Sequence, residues 1–427
     1  MTHFGLTCPA SAGHLHTMLP LGQELLRRGH RVTFFGFLDA RSRTEAAGLE
    51  FRPIGESEFP LGAMEEQITR IGEKSGLAAL QQTLHWINKA TIVRLEQAPA
   101  VLREAGIETL VVDQVSSGSK TIVDLLEIPF VSVCSALPLN RDPSVPPMNT
   151  HWSYSPTWWA QWRNRVGYAL LNYLGRSVRQ TIAEYRRAWN LPTHSHPNQA
   201  YSPLAQISQE PAEFEFRRQQ LPPCFHFTGP YHNLASRTSV TFPYEHLSGK
   251  PLIYASMGTV QNRQQEIFYC IAQACAEWDA DVVISLGGSC RPEDLPELPG
   301  SPIVVEYAPQ LELLEKATLT ITHAGLNTTL ESLTQGVPMV AIPIANDQPG
   351  VGARIAWTGT GEVVPLKRLN ASRLRKVVQQ VLTNPDYKRN AFSLQKAIYQ
   401  AGGETQAAEI IEQVAQTVEP VLAESSR

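Results

Sequence analysis

With 427 residues the chain exceeds the size at which a single hydrophobic core keeps growing, so two domains of about 200 residues each are expected. Its composition, 43% hydrophobic and 18% charged, is that of a folded globular protein and speaks against long disordered tracts. Thirty-six basic against forty acidic residues give a formal charge of -4 with no long block of either sign, which argues against nucleic acid as a partner.

The opening reads as a short apolar strand at Phe4 to Cys8, a loop of Pro, Ser, Gly and His over 9–16, an amphipathic helix from Thr17 to Arg28 closed by Gly29, and a strand at Arg31 to Phe35. That order is a βαβ unit, and parallel sheets built from such units bind ligands beyond the carboxyl ends of their strands, where Pro9 to His16 lies. A second buried strand, Thr109 to Val112, ends in Asp113, and a helix at Ser119 to Leu126 leads to a strand at Phe130 to Cys134. Residues 231–250, rich in Ser, Thr, Pro, Gly and Asn, read as an interdomain linker. The pattern then restarts, with strands at Pro251 to Ser256, Asp281 to Leu286, Ile303 to Glu306, Leu319 to Thr322 and Met339 to Pro343, and an amphipathic helix closes the chain at Glu404 to Val418. The expected division is a first domain over 1–235, a linker over 236–250, a second domain over 251–402 and a terminal helical segment over 403–427.

The most informative run is Thr322-His-Ala-Gly-Leu-Asn-Thr-Thr-Leu-Glu-Ser, followed by Gly336-Val-Pro-Met-Val-Ala-Ile-Pro and then Asn346-Asp-Gln. A strand that ends at Thr322, turns at Gly325 and enters a helix near Leu326 aims backbone N–H groups and the positive end of the helix dipole at one point, which makes an anion cradle. His323, Asn327 and Thr328 add side-chain donors, and Glu331, one turn beyond Asn327, can accept from a ribose diol. Singly, Asn327 and Thr328 are ordinary helix caps and His323 an ordinary loop histidine; the joint spacing is what points to a nucleotide diphosphate.

The run resembles the nucleotide-sugar signature of glycosyltransferase family 1, the UDP-glycosyltransferases, with the bacterial zeaxanthin and other carotenoid glucosyltransferases nearest in look. The resemblance implies an α/β chain of GT-B type: two facing Rossmann-like domains with parallel sheets and a cleft between them. The first would bind acceptor, the second the nucleotide sugar, and the last helix would cross back to the first. Carried over, the diphosphate falls on His323, Gly325, Asn327 and Thr328, the ribose on Glu331, and the sugar hydroxyls on Asp347 and Gln348. Tyr307-Ala-Pro-Gln310 resembles the family's Trp-x-Pro-Gln element, whose ring stacks on the base and whose Gln bonds its edge, with Tyr in place of Trp. Ser256-Met-Gly258-Thr259 resembles the loop that approaches the diphosphate closely because Gly has no side chain.

His14, in Ser11-Ala-Gly-His-Leu-His, resembles the family's general base, and Asp113 its carboxylate partner; as a plain strand-end residue Asp113 would instead cap a neighbouring helix. An imidazole, with an ordinary pKa of about 6.5, can take a proton from the acceptor and then carry the charge. His16 is acceptor-side or structural. The resemblance implies no cofactor beyond the UDP-sugar co-substrate and no metal. Asp279-Ala-Asp281 matches a metal-binding DxD pattern, but it precedes its strand, the wrong end for a ligand site in a parallel sheet.

Trp152, Trp158, Trp159 and Trp162 crowd one stretch with Tyr154, Tyr168 and Tyr173, and with Arg163, Arg165, Arg176 and Arg179 interleaved. They line an acceptor pocket, rest at a bilayer surface, or pack this region onto the first domain. The expected activity is inverting, metal-independent transfer of a hexose, glucose first, from a UDP-sugar to a hydroxyl of a small lipophilic acceptor such as a carotenoid. A nucleotide-sugar epimerase of the same fold and a non-catalytic nucleotide-sugar-binding protein are the alternatives. A dinucleotide oxidoreductase is disfavoured, since Pro9 to His14 lacks G-x-G-x-x-G. The six cysteines (Cys8, Cys134, Cys224, Cys270, Cys275 and Cys290) form no CxxC pair and read as reduced thiols. Met1 to Gly13 carries no export leader, and no apolar run approaches the ~20 residues needed to span a bilayer. A cytoplasmic monomer or weak dimer, with at most peripheral membrane contact, is therefore expected.

Overall fold

A computed structural model describes residues 1–72, 76–231, 240–258, 265–288 and 290–423. Thr259 and linker residues 236–239 lie outside the described residues. The first half forms β1 (His3–Thr7), α1 (Ala12–Arg27), β2 (Arg31–Gly36), α2 (Arg41–Ala46), β3 (Glu50–Pro53), α3 (Ala63–Gly72), α4 (Gly76–Ala105), β4 (Thr109–Asp113), α5 (Ser119–Leu126), β5 (Phe130–Cys134), α6 (Trp158–Leu174), α7 (Arg176–Ala188), β6 (Ala205–Ser208) and β7 (Phe225–Phe227). The second forms β8 (Leu252–Ser256), α8 (Gln265–Cys275), β9 (Asp281–Ser285), β10 (Ile303–Val305), α9 (Gln310–Leu314), β11 (Ala317–Thr322), α10 (Leu326–Thr334), β12 (Met339–Ala341), α11 (Gln348–Trp357), β13 (Gly361–Val363), α12 (Ala371–Thr383) and α13 (Pro385–Gln400), and α14 (Gly403–Thr417) follows.

Every residue of β1, β4, β5 and β8 is buried, which is why these strands read as continuous apolar runs: helices cover both faces of a parallel sheet. The strands pair in parallel in the orders β3-β2-β1-β4-β5-β6-β7 and β10-β9-β8-β11-β12-β13. In each sheet the chain starts in the middle, works outward to one edge and returns to build the other. The resulting switch points lie between β1 and β4 and between β8 and β11, where loops diverge and leave a crevice. Register sets Thr7 beside Val112 in one sheet and Ser256 beside Thr322 in the other. Two pairs of strand ends are thereby fixed as neighbours although each pair is far apart in sequence.

One boundary departs from expectation with consequences for the site. Helix α1 begins at Ala12 rather than Thr17, so the loop is shorter and His14 and His16 stand on helix. Gly13 and Pro20 disguise this start, but Leu15, Met18, Leu19 and Leu21 are almost fully buried in the core, and tertiary packing outweighs local propensity. Helix α14 packs on the first sheet: Ala407, Ala408, Ile410, Ile411 and Val414 join the core that contains Leu15 and Val131, and Glu412 takes ion pairs from Arg28 and His30, both at 2.8 Å. A further apolar cluster joins the halves, with Leu137 and Phe214 from the first against Leu326, Leu330, Val351 and Ile355 from the second. No described helix is long and apolar enough to cross a membrane.

Candidate active site

At the first switch point, α1 delivers His14 and β4 delivers Asp113, and the two side chains meet at 2.6 Å, Nδ1 to Oδ2. Asp113 is fully buried, and its other oxygen accepts the Val115 N–H at 3.0 Å, so the carboxylate is held from both sides. Bonding at Nδ1 leaves Nε2 as the basic nitrogen of the neutral ring. Burial pulls the His14 pKa down, but the Asp113 charge, the hydrogen bond and the more distant Asp347 charge outweigh it, and the net direction is up. Arg94 of α4 lies buried nearby, lowered to about 10 by burial against the opposing pull of Cys8 and Asp113. His16 does not converge on the same point, because two residues along an α-helix turn about 200°.

At the second switch point, β11 turns through Ala324, held at φ 63°, into α10. Gly325 caps that helix without offering a side-chain acceptor, so the first-turn N–H groups meet no cap side chain. The His323 ring lies between Gly258 and Gly325: a Cβ on Gly258 would stand 2.6 Å from its Nε2, and one on Gly325 would collide with the same atom. Burial holds His323 down at about 4, against a weaker upward pull from the Ser256 backbone, so the ring is neutral at pH 7. Ser256, almost buried, accepts the Gly258 N–H at 3.4 Å.

Glu331 is 2% exposed and its carboxylate accepts from Gln310 Nε2, while Gln310 Oε1 accepts from the Tyr254 hydroxyl at 3.0 Å and its Nε2 reaches Thr328 Oγ1 at 3.4 Å. Gln310, Thr328 and Glu331 are thus one bonded group. Tyr307 is half exposed, with its hydroxyl end set against Gly288. Gln348 spends its Oε1 on the N–H groups of Ile344 and Ala345, at 2.8 and 2.9 Å, which braces the loop carrying Asp347. Burial raises the Asp347 carboxyl, partly opposed by backbone N–H bonding and by the nearby His14.

The two constellations face each other. Asn327 Nδ2 donates to the Gly13 carbonyl at 2.8 Å, one residue before His14, and Asn327 Oδ1 accepts from Gln209 Nε2 at 2.9 Å. The Asn327 side chain thus joins the halves at the N-terminus of α10. Sequence reasoning passes over Gln209, Glu215 and Arg354, which hold this junction: Arg354 of α11, fully buried, donates to Glu215 Oε1 from Nη2 at 2.5 Å and Nε at 3.1 Å. The available signal was position, since Gln209 follows the carboxyl end of β6, a strand the sequence did not announce.

The tryptophans divide. Trp152 packs beneath α6, with Arg163 over its ring at 4.8 Å. Trp158, Trp159 and Trp162 are exposed, so packing onto the first domain is excluded for these three. Asp281 is the first residue of β9 and bonds Ser248, and Asp279 pairs with Lys250 at 2.8 Å. Among the described residues no group of His, Cys, Asp or Glu is placed to hold a metal ion.

Two parallel doubly wound units, meeting across paired switch points, give the chain the GT-B architecture. The chain belongs to the UDP-glucoronosyl and UDP-glucosyl transferase family, whose model matches residues 62–400. It is 33% identical over its full length to a zeaxanthin glucosyltransferase of Pantoea ananas, covering 99% of that protein, and 30% identical to one of Pseudescherichia vulneris over 97% of this chain and 98% of that one. Among solved structures it superposes on the calicheamicin glycosyltransferase CalG4 with a TM-score of 0.76 at 21% identity, covering 98% of this chain and all of that one, and on the kitacinnamycin glycotransferase at 0.74 and 22%, covering 96% and 98%. His14 precedes the stretch matched by the family model, but the full-length relatives span it.

Proposed function

We propose that this protein transfers a hexose, glucose first among them, from a UDP-sugar to a hydroxyl of a small lipophilic acceptor of the carotenoid class, with inversion and without a metal. The donor and acceptor classes are supported by the two zeaxanthin glucosyltransferases to which the chain is similar over nearly its whole length. The observation that carries the chemistry is the 2.6 Å His14–Asp113 pair standing one residue from the Asn327–Gly13 bond, so that a proton acceptor on one half faces an anion cradle on the other.

In the proposed step the acceptor oxygen attacks the anomeric carbon as its proton passes to His14 Nε2. The new carbon–oxygen bond forms as the bond to the diphosphate breaks, and the nucleoside diphosphate leaves with the electron pair. Asp113 stabilises the imidazolium, and the α10 N-terminus with His323 receives the charge that builds on the diphosphate. Asp347 and Gln348 hold the sugar hydroxyls, and Tyr307, Gln310 and Glu331 the base and ribose.

The test is to incubate the protein with UDP-glucose and zeaxanthin and look by mass spectrometry for one and two added hexoses. His14→Ala should reduce the rate by about 10²–10⁴ while UDP binding, measured by calorimetry, stays within about threefold. Undiminished transfer by that variant would remove His14 from the reaction. No hexose added to any carotenoid diol, across a panel of UDP-sugars, would remove the acceptor class.

A further inference from the structure

Helix α6 wears its apolar residues on the outside. Trp159, Trp162, Val166, Leu170 and Tyr173 follow one another at spacings of three and four, which sets them in one stripe along the helix, with Trp158 and Ala169 at its margin. Trp158 is 80% exposed, Trp162 63% and Tyr173 62%. The opposite face fixes the helix to the protein: Ala160 and Asn164 are buried, Asn164 Nδ2 donates to the Pro143 carbonyl at 3.0 Å, and Gly167 rests on Pro147 and Trp152. The helix is therefore anchored, and its apolar stripe faces solvent. It carries six of the sixteen large apolar side chains exposed among the described residues, where no other described helix carries more than two. Such a concentration marks a surface that something covers.

Charge selects the occupant. From Pro143 to Ala183 the chain contains no Asp or Glu and four arginines, Arg163, Arg165, Arg176 and Arg179, a local charge of +4 within a chain of net -4. Arg163 lies over the rings of Trp152 and Trp159, at 4.8 and 5.7 Å, and Arg176 over Tyr173 at 4.2 Å, so these guanidinium groups stand beside the stripe instead of trailing away from it. A second copy meeting the stripe face to face about a twofold axis would set arginine against arginine. A bilayer bearing anionic lipids meets both properties at once: Trp and Tyr settle at the boundary between headgroups and chains, and arginines meet the phosphates.

We propose that α6 docks this protein on anionic phospholipid membranes, with the stripe from Trp159 to Tyr173 in the interfacial layer and Arg165, Arg176 and Arg179 at the headgroups. Docking stands on this surface alone. A consequence that does rest on the proposed acceptor class is delivery: α6 sits on the segment 143–152, whose Met148 carbonyl packs against Gly350 of α11, so the lipid-facing helix adjoins the junction of the two halves.

The experiment is flotation of the full chain, with neither nucleotide nor acceptor present, on vesicles of phosphatidylcholine alone and of phosphatidylcholine mixed with phosphatidylglycerol. Two double variants are compared, Val166→Glu with Leu170→Glu and Arg165→Glu with Arg176→Glu; all four positions are exposed, and circular-dichroism melts confirm that both variants fold. The parent should bind the anionic vesicles at least about tenfold more tightly than the neutral ones, weakening with salt, and each variant should lose about tenfold or more. Equal binding by parent and variants overturns the proposal. So does a parent that ignores vesicles but elutes as a dimer which V166E/L170E splits, since the stripe is then an interface between copies. Because no acceptor is present, failure of the carotenoid reading leaves this measurement untouched.

Discussion

His14 keeps a raised pKa against the pull of its own burial because Asp113 opposes that pull twice, by charge and by the bond at Nδ1, and Asp347 adds a smaller charge effect. The sign matters for catalysis. A protonated imidazole cannot accept the acceptor's proton, so kcat/KM should climb with pH through an apparent pKa above the ordinary value of about 6.5 and then level off. Asp113→Asn removes the charge but leaves the burial, so the climb should move to a pH below about 6.5, and the plateau should fall by about 10²–10⁴ as the ring loses its fixed tautomer. A pH profile of both forms decides this: an acid limb that stays in place would mean that Asp113 does not set the protonation of His14.

The turn from β11 into α10 depends on what is missing from its neighbours. The His323 ring fits only because Gly258 and Gly325 have no side chains, and Gly258 also sits at φ 76°, where an L side chain is strained. Gly258→Ala should therefore displace the ring by several tenths of an ångström and weaken UDP binding about tenfold, read by calorimetry, while the pH limb set by His14 stays unchanged. The same stretch explains what the sequence could announce. Parallel strands buried on both faces are continuous apolar runs, and Ser119–Leu126 and Phe130–Cys134 stand where their pattern puts them. Helix α1 was obscured because Gly13 and Pro20 speak against helix locally while the evidence for it, the burial of Leu15 and Met18, belongs to the folded core.

The junction between the halves was the least legible part, because its contacts join residues 118 to 314 positions apart that no local pattern links. At its centre Glu215 answers both Arg354 of α11 and Arg218, and these two guanidinium groups hold its carboxyl low against its burial. Glu210 is fully buried with neither carboxyl oxygen hydrogen-bonded among the described residues, and the Glu215 carboxylate lies close enough to oppose a second charge, so one of the two keeps a proton. Burial first, then the Glu215 charge, push Glu210 well above the ordinary carboxyl range, so Glu210 is the one that keeps it. The folded chain then binds a proton that the unfolded chain has released. Its stabilising effect is complete below the unfolded value of about 4.5 and is lost as pH rises through the raised folded value. Glu210→Gln cannot ionise. Its melting temperature should match the parent's near pH 4 and exceed it by several degrees in mildly alkaline buffer, with the gap opening as pH increases. A gap that stays constant across that range would show that Glu210 carries no proton in the folded protein, and that it stands ionised beside the Glu215 carboxylate that Arg354 grips from the other half.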